Sequence, residues 1–248
     1  KDKEKVKGKD KEKVKGKDKE KVKGKDKGKA PPAKELTLEI SPLHREKTIE
    51  EAEQYIREKY KIPANFKGAD VNAVRVTLDE IDDLASRFPD VVRTEFKGAQ
   101  VAELDKDTFA QYNQRSGVLT WNKKYFSNAD ELASKMKEVV ETGWNVDVGK
   151  KDATSLIRQL TRHEFGHLVD SRYMRVSGED RMGALGDAVI DQIGFSNRKV
   201  GMSAYSFQNS AEFTAEAFVQ YASGVKTPAS EALGEIYTAM EKARGKWY

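Results

Sequence analysis

The chain has 248 residues, 38% of them hydrophobic, which is enough for one sizeable domain. It contains no cysteine, so disulfide bonds and thiolate metal ligands are excluded. Its formal net charge of +4 divides unevenly, because residues 1–29 carry 15 lysines against 7 acidic residues and so hold a surplus of +8. The remainder carries −4, and the basic character of the chain therefore belongs to its N-terminal segment.

This basic segment is a repeat. Residues 1–24 are three copies of Lys-Asp-Lys-Glu-Lys-Val-Lys-Gly, and a broken fourth copy runs into Ala30-Pro31-Pro32. Low hydrophobicity, regular glycines and mutually repelling lysines predict a disordered, extended tail and linker over residues 1–34. We expect a solvated tail with at most weak contacts to anionic surfaces. It has no interleaved aromatic residues on which bases can stack, so we expect no specific nucleic-acid partner.

From Glu35 onward the hydrophobic patterns predict an α+β domain over residues 35–248, with an N-terminal part (35–105) and a core (106–248). The first expected elements are a strand at Leu36–Ile40, a helix with a capping box at Thr48 ending near Tyr60, a helix over 78–88, and strands at Phe96–Leu104 and Gly117–Trp121. Helices are expected next over 129–143, Thr154–Asp170, 179–193 and 210–223, and a last one from Pro228. No apolar run is long enough to span a membrane.

Residues 163–167, within the predicted helix Thr154–Asp170, read His-Glu-Phe-Gly-His. Residues four apart lie on the same face of a helix, so His163 and His167 can point at one metal ion. Glu164 then lies beside the open coordination position. This arrangement is typical of zinc peptidases, in which the glutamate is the general base. The pentapeptide alone also fits an ordinary structural helix with two histidines that bind nothing.

A catalytic zinc site takes three protein ligands and leaves a fourth position for water. The compact pattern with a histidine six residues after His167 is excluded, because Tyr173 stands there. Asp170 can ligate in principle, but it is more typical of a cap or hydrogen-bonding residue near the end of the helix. His44 lies in a stretch rich in charge and proline, and we expect it to be solvated.

The predicted helix over 210–223 offers a better third ligand. Asn209 is a good N-cap for it, and Glu212 and Glu216 share one face of this largely apolar segment. A buried carboxylate is costly unless it is paired or bound to a metal, so a zinc ion and its histidines would satisfy both residues. Glu212 would then bind the metal and Glu216 would accept the Nδ1–H of a ligating histidine. The spacing equally allows both glutamates to lie on a solvated face.

Taken together, His-Glu-Phe-Gly-His-Leu-Val-Asp at 163–170, Tyr205, and Asn-Ser-Ala-Glu-Phe-Thr-Ala-Glu-Ala-Phe at 209–218 resemble one group of zincin metallopeptidases. The group includes the catalytic domain of anthrax lethal factor, the secreted Pro-Pro endopeptidases and lethal-factor-like domains of phage minor head proteins. The resemblance covers about residues 110–245 and does not extend to the large accessory domains of lethal factor. It implies a gluzincin-like fold with a small mixed sheet and Zn²⁺ ligands at His163, His167 and Glu212. It also implies a general base at Glu164, an outer carboxylate at Glu216, and a Tyr205 hydroxyl that assists at the reacting carbonyl.

The function that this resemblance implies is a zinc-dependent endopeptidase that hydrolyses peptide or protein substrates with metal-activated water. In peptidases of this architecture an edge strand upstream of the metal helix holds the substrate main chain by strand addition. We expect that role for the strand formed by Gly117, Val118, Leu119, Thr120 and Trp121, whose side chains are also typical of a sheet core. The cleaved sequence stays open.

The alternative from another functional class is a catalytically silent, zincin-like structural or interaction domain of a phage head protein. Glu164 argues against it, because a purely structural zinc site needs ligands but no general base. We expect a secreted or phage-particle-associated protein. The chain begins with Lys1 rather than methionine and shows no signal peptide, so we also expect a fragment or processed product that has lost any targeting signal.

Overall fold

The computed structural model describes residues 38–244, and the predicted disordered tail over 1–34 lies outside this range. The described residues form an α+β fold, as predicted. Its helices are α1 (Ile49–Tyr60), α2 (Val71–Arg87), α3 (Pro89–Glu95), α4 (Lys123–Phe126), α5 (Ala129–Glu141), α6 (Ala153–Ser177), α7 (Ala184–Ile193), α8 (Ser210–Ala222) and α9 (Pro228–Arg244). Its strands are β1 (Ala64–Asn65), β2 (Gly98–Ala102), β3 (Ala110–Asn113) and β4 (Val118–Asn122).

The four strands form one small mixed sheet in the order β1-β2-β4-β3. Strands β1, β2 and β4 are parallel, and β3 is antiparallel to β4 at one edge. The prediction that Gly117–Trp121 forms an exposed edge strand is therefore wrong, because β4 is hydrogen-bonded to β2 on one side and to β3 on the other. Leu119 and Trp121 are buried in the core, while Gly117 lies in the turn before β4 with a φ of +69°.

Strand β3 is not among the elements that the sequence predicts. The Gly117 N–H donates to the Asn113 carbonyl, which closes a tight connection between β3 and β4. A short polar segment directly before a predicted strand is typical of a hairpin turn, so residues 113–116 were the available sequence signal for β3. Its short length, four residues with alternating burial, explains why the pattern is weak.

Helix α6 is the longest element of the described chain and carries residues 163–167 in its middle. Asp152 caps its start by accepting the Ser155 N–H, and Gly178 ends it in the left-handed conformation at φ +79°. The predicted end at Asp170 is wrong by about two turns, because no glycine or proline lies between Asp170 and Gly178. Leu156, Leu168 and Val169 are buried, so the helix runs through the core.

Gly166 sets how closely α6 and α8 pack. A β-carbon placed on Gly166 would lie 2.7 Å from Ala215 Cα and 3.1 Å from Phe218 Cβ, closer than a side chain tolerates. The absence of a side chain at this residue therefore lets the two helices touch through their backbones. This contact places the first turn of α8 beside His163 and His167.

Other boundaries differ from the prediction for local reasons. Helix α2 begins seven residues earlier than expected, because Asp70 caps it by accepting the N–H groups of Asn72 and Ala73. Pro89 does end α2 but also opens the unpredicted helix α3, where a proline at the first position is well tolerated. Helix α7 begins at Ala184 rather than 179, after Gly183 at φ +92°. Leu38–Ile40, the described part of the predicted first strand, is not in a strand.

His44 is buried, so the prediction that it is solvated is wrong. Its Nε2 lies 3.3 Å from Asp82 of α2, and its Nδ1 lies 3.4 Å from Glu46. The charged stretch around it packs against α1 and α2, where the Tyr55 and Tyr60 hydroxyls also donate to Asp82.

Within residues 38–244, no helix combines the length and apolar character needed to cross a membrane.

Candidate metal site and cleft

Three side chains from two helices converge between α6 and α8. The ligand atoms of His163, His167 and Glu212 all lie within 4.8 Å of one another, so the group can hold a metal ion. Glu212 Oε2 lies 3.0 Å from His163 Nε2 and 3.5 Å from His167 Nε2. A tetrahedral zinc ion with bonds of about 2.0–2.2 Å separates its ligand atoms by about 3.4 Å. The two measured distances are close to that separation.

Helix α8 begins at Asn209, whose side chain accepts the Glu212 N–H at 2.9 Å, as the sequence predicts for an N-cap. Glu212 thus lies in the first turn of the helix, where the helix dipole favours a negative charge. Burial alone would raise the pKa of Glu212, but hydrogen bonds from His163 and His167 outweigh it and hold that pKa well below its usual range. The carboxylate is therefore ionised, as a metal ligand must be.

Glu216, one turn further along α8, is completely buried. Its Oε1 lies 2.8 Å from His163 Nδ1, which is the contact that fixes the orientation of a ligating imidazole. Burial would lower the pKa of His163, yet the hydrogen bonds to Glu212 and Glu216 outweigh it and raise that pKa well above its ordinary value. A cation would take the place of this positive charge, because a ligating histidine must release the proton on its metal-facing nitrogen.

Glu164 lies beside the group but is not part of it. Its side chain is buried, and its Oε2 has no hydrogen-bond partner among the described residues. Burial raises the pKa of Glu164, although the neighbouring His163 and His167 and a hydrogen bond from the Tyr112 backbone lower it. A buried carboxyl with one oxygen unpaired and a raised pKa has the properties of a proton acceptor.

Tyr205 approaches the same group from the segment before α8. It lies in a short 3₁₀ turn, Tyr205–Phe207, and its ring is 5.6 Å from the His163 ring and 5.6 Å from the Trp144 ring, centroid to centroid. Burial raises the pKa of the Tyr205 phenol, and the carboxylates of Glu212 and Glu164 raise it further. The hydroxyl is therefore protonated at neutral pH and can donate a hydrogen bond.

A cleft of about 640 Å³ opens onto these residues. His163, Glu164 and Tyr205 are among the residues that line it. The other lining residues come from the segment before β3, the first residue of β3, helices α4 and α5, the loop after α5, and α6; they include Phe109, Ala110, Tyr125, Met136, Val139, Trp144 and Leu160. Trp144 is 44% exposed and lies at the rim. Lysine and glutamate side chains of α4 and α5 also line the cleft, among them Lys124, Lys135 and Glu138.

The structure thus brings together His163, Glu164, His167, Tyr205, Glu212 and Glu216. Asp170 lies apart from the group, because its buried carboxylate accepts the Gly183 and Leu185 N–H groups and so anchors the start of α7. The strand β4 does not line the cleft, whereas β3, Trp144 and the α5–α6 loop do. A tryptophan between glycines in a short loop was the available sequence signal for the rim.

Comparison of the chain with protein-family models, with curated proteins and with solved structures gives no match. The assignment of a function therefore depends on the residues of this chain and on their geometry.

Proposed function

We propose that the protein is a zinc-dependent endopeptidase with a zincin-like, lethal-factor-like catalytic domain. The observation that carries this proposal is the convergence of His163, His167 and Glu212 at the separations that a tetrahedral ion requires, with Glu164 buried beside them. A purely structural site would be closed by a fourth protein ligand. Glu216, the remaining nearby carboxylate, directs its oxygens to His163, Val146 and Ser203 instead.

His163 and His167 would hold the ion through Nε2 and Glu212 through its carboxylate. A zinc ion bound there would supply Lewis-acid polarisation of a peptide carbonyl and would acidify a water molecule. Glu164 would accept the proton of that water, helped by its raised pKa, and would pass the proton to the departing amine. The Tyr205 hydroxyl would donate a hydrogen bond to the carbonyl oxygen as negative charge develops on it.

Strand β3 is the element that would align the substrate, in place of β4. The Asn122 N–H donates to the Phe109 carbonyl, so alternate residues of the antiparallel pair exchange hydrogen bonds. Ala110 and Tyr112 therefore direct their main-chain groups away from β4, and Tyr112 N–H reaches Glu164 on that outer side. An extended peptide laid along this edge would pass beside Glu164, with its side chains in the cleft.

The first test is hydrolysis of a degenerate peptide library by the zinc-loaded protein, with the products identified by mass spectrometry. We expect cleavage by the natural chain and a loss of about 100-fold or more in rate for Glu164→Gln, since general-base catalysis contributes about 10²–10⁴-fold. Zinc content should stay the same in this variant. Glu231→Gln, a charge-removing change at an exposed residue of α9, serves as the control with unchanged rate.

Two results would contradict the proposal. Cleavage by Glu164→Gln at the natural rate would show that the wrong base has been assigned. Stoichiometric zinc without cleavage of any library member would favour the other functional class, a silent zincin-like interaction domain.

A further inference from the structure

The buried carboxylate of Glu216 does more than contact a histidine. Its Oε1 lies 2.8 Å from His163 Nδ1, while its Oε2 accepts hydrogen bonds from Val146 N–H and from Ser203 Oγ, each at 2.7 Å. Glu216 is fully buried, so these bonds are shielded from water and strongly directional. One oxygen supports the candidate metal site, and the other joins two separate chain segments.

Those two segments form one wall of the cleft. The first is the loop after α5, which carries Trp144, and the second is the stretch that leads into α8 and carries Tyr205. They pair directly, because Ala204 N–H donates to the Gly143 carbonyl and Tyr205 N–H donates to the Trp144 carbonyl, both at 3.0 Å. Gln159, one turn before His163 on α6, holds the same loop by donating to the Val146 carbonyl at 2.6 Å.

Ser203 links Glu216 to the second segment, the stretch that leads into α8. Its hydroxyl donates to Glu216 and also accepts the Ser206 N–H at 3.2 Å, and it is 5% exposed. The bond from Ser206 fixes the 3₁₀ turn whose first residue is Tyr205. The hydroxyl of Ser203 thus joins a buried anchor on α8 to the turn that presents the tyrosine.

We propose that Ser203 is a positioning residue, which sets the place of the Tyr205 hydroxyl relative to His163, His167 and Glu212. The inference deepens the proposed peptidase function and rests on it. The Ser203 hydroxyl is hydrogen-bonded to Glu216 and Ser206 rather than to His163, His167 or Glu212, so its effect would pass through Tyr205. A displacement of about 1 Å of a catalytic group can cost up to about 100-fold in rate, which gives a small hydroxyl a measurable effect.

The kinetic test is a double-mutant cycle between Ser203→Ala and Tyr205→Phe on zinc-loaded protein. Ser203→Ala should lower kcat about 10-fold with little change in KM, and Tyr205→Phe should lower it about 100-fold. In the Tyr205→Phe background, Ser203→Ala should have less than about twofold further effect, because the group that it positions is gone. A general loss of stability would act equally in both backgrounds, so equal losses would overturn the proposal.

A second measurement does not depend on catalysis. Hydrogen–deuterium exchange should speed up at the amides of Ala204 and Tyr205 in Ser203→Ala, and zinc affinity should change by less than about 10-fold. Ser230→Ala is the matched control, since Ser230 is also buried and its hydroxyl donates to the carbonyl of Val225, which does not line the cleft. Unchanged exchange at Ala204 and Tyr205 would overturn the inference.

The two measurements separate the two ideas. If the natural chain cleaves no peptide, the proposed function fails and the positioning role for catalysis fails with it, whatever the exchange shows. If the natural chain cleaves but the cycle is additive, the proposed function stands and only the role of Ser203 is overturned.

Discussion

At the scale of single residues, the candidate site consists of acidic and histidine side chains that stabilise one another's charged forms. Glu212 and Glu216 bring two carboxylates into contact with His163, and both the low pKa of Glu212 and the high pKa of His163 follow from that contact. Glu164 differs from them, because burial dominates and raises its pKa. Neighbouring glutamates in the same site therefore have environments suited to different tasks, ligation for one and proton transfer for the other.

The two glutamates of α8 should affect zinc binding unequally. Glu212→Gln removes a proposed ligand and should lower the zinc affinity by more than about 100-fold. Glu216→Gln removes the hydrogen-bond partner of His163 and should lower that affinity by about 10–100-fold. Competition with a chromogenic chelator measures both constants, and Glu231→Gln again provides a control for loss of surface charge. Tight zinc retained by Glu212→Gln would move the third ligand to another carboxylate.

At the scale of elements, the segment that precedes α1 is held by a cluster of polar side chains that does not line the cleft. Buried His44 faces Asp82 of α2 and Glu46 of its own segment, and Tyr55 of α1 contacts its ring edge-on at 5.0 Å. Lys59 of α1 reaches Asp82 at 2.6 Å, and Arg75 of α2 donates to the His44 carbonyl. Burial would lower the pKa of His44, but Asp82 and Glu46 outweigh it and raise that pKa.

This cluster makes stability depend on pH in a definite direction. Because the pKa of His44 is higher in the folded than in the unfolded chain, its contribution is fully present below pH 6.5 and is lost as pH rises through the folded value. The difference in unfolding free energy between the natural chain and His44→Asn should therefore shrink from pH 6 to pH 9. Urea denaturation at both pH values measures this difference, and taking the difference cancels the contributions of groups that the substitution leaves unchanged. A difference that is constant or grows would show that His44 is neutral when folded.

At the scale of the whole molecule, the candidate site joins α6 and α8, the two helices at the centre of the core. A ligand that binds only the folded chain stabilises it, so free zinc about 1,000-fold above its dissociation constant should add about 4 kcal/mol to the free energy of unfolding. For a domain of this size the expected rise in Tm is about 8–16 °C.

Differential scanning calorimetry with and without zinc measures that rise. Glu164→Gln should retain it, because this glutamate is not a ligand, and His163→Ala should lose it. An equal rise in His163→Ala would place the bound zinc elsewhere on the chain.

Much of the fold follows from local signals in the sequence. Thr48, Asn209 and Gly178 fix helix boundaries through side-chain capping or left-handed geometry, and both effects depend only on neighbouring residues. The four-residue spacing of His163 and His167 likewise places them on one face of a helix, and this effect needs no contact with other segments. The sequence therefore determined the α+β class, the main helices and the two histidines as a pair.

Only the tertiary structure decided which distant groups meet. Glu212 reaches the histidines because Gly166 lets α8 approach α6, and no periodicity reports such a contact. The position of β3 rather than β4 at the edge of the sheet has the same origin, since strand order depends on pairing across the sheet. The burial of His44 also depends on segments far apart in the chain. So does the arrangement at Glu216, where one carboxylate oxygen accepts hydrogen bonds from Val146 and Ser203. Local interactions involve residues close together in the sequence and can therefore be predicted from it. Packing depends on contacts between distant segments, which form only when the whole chain is folded.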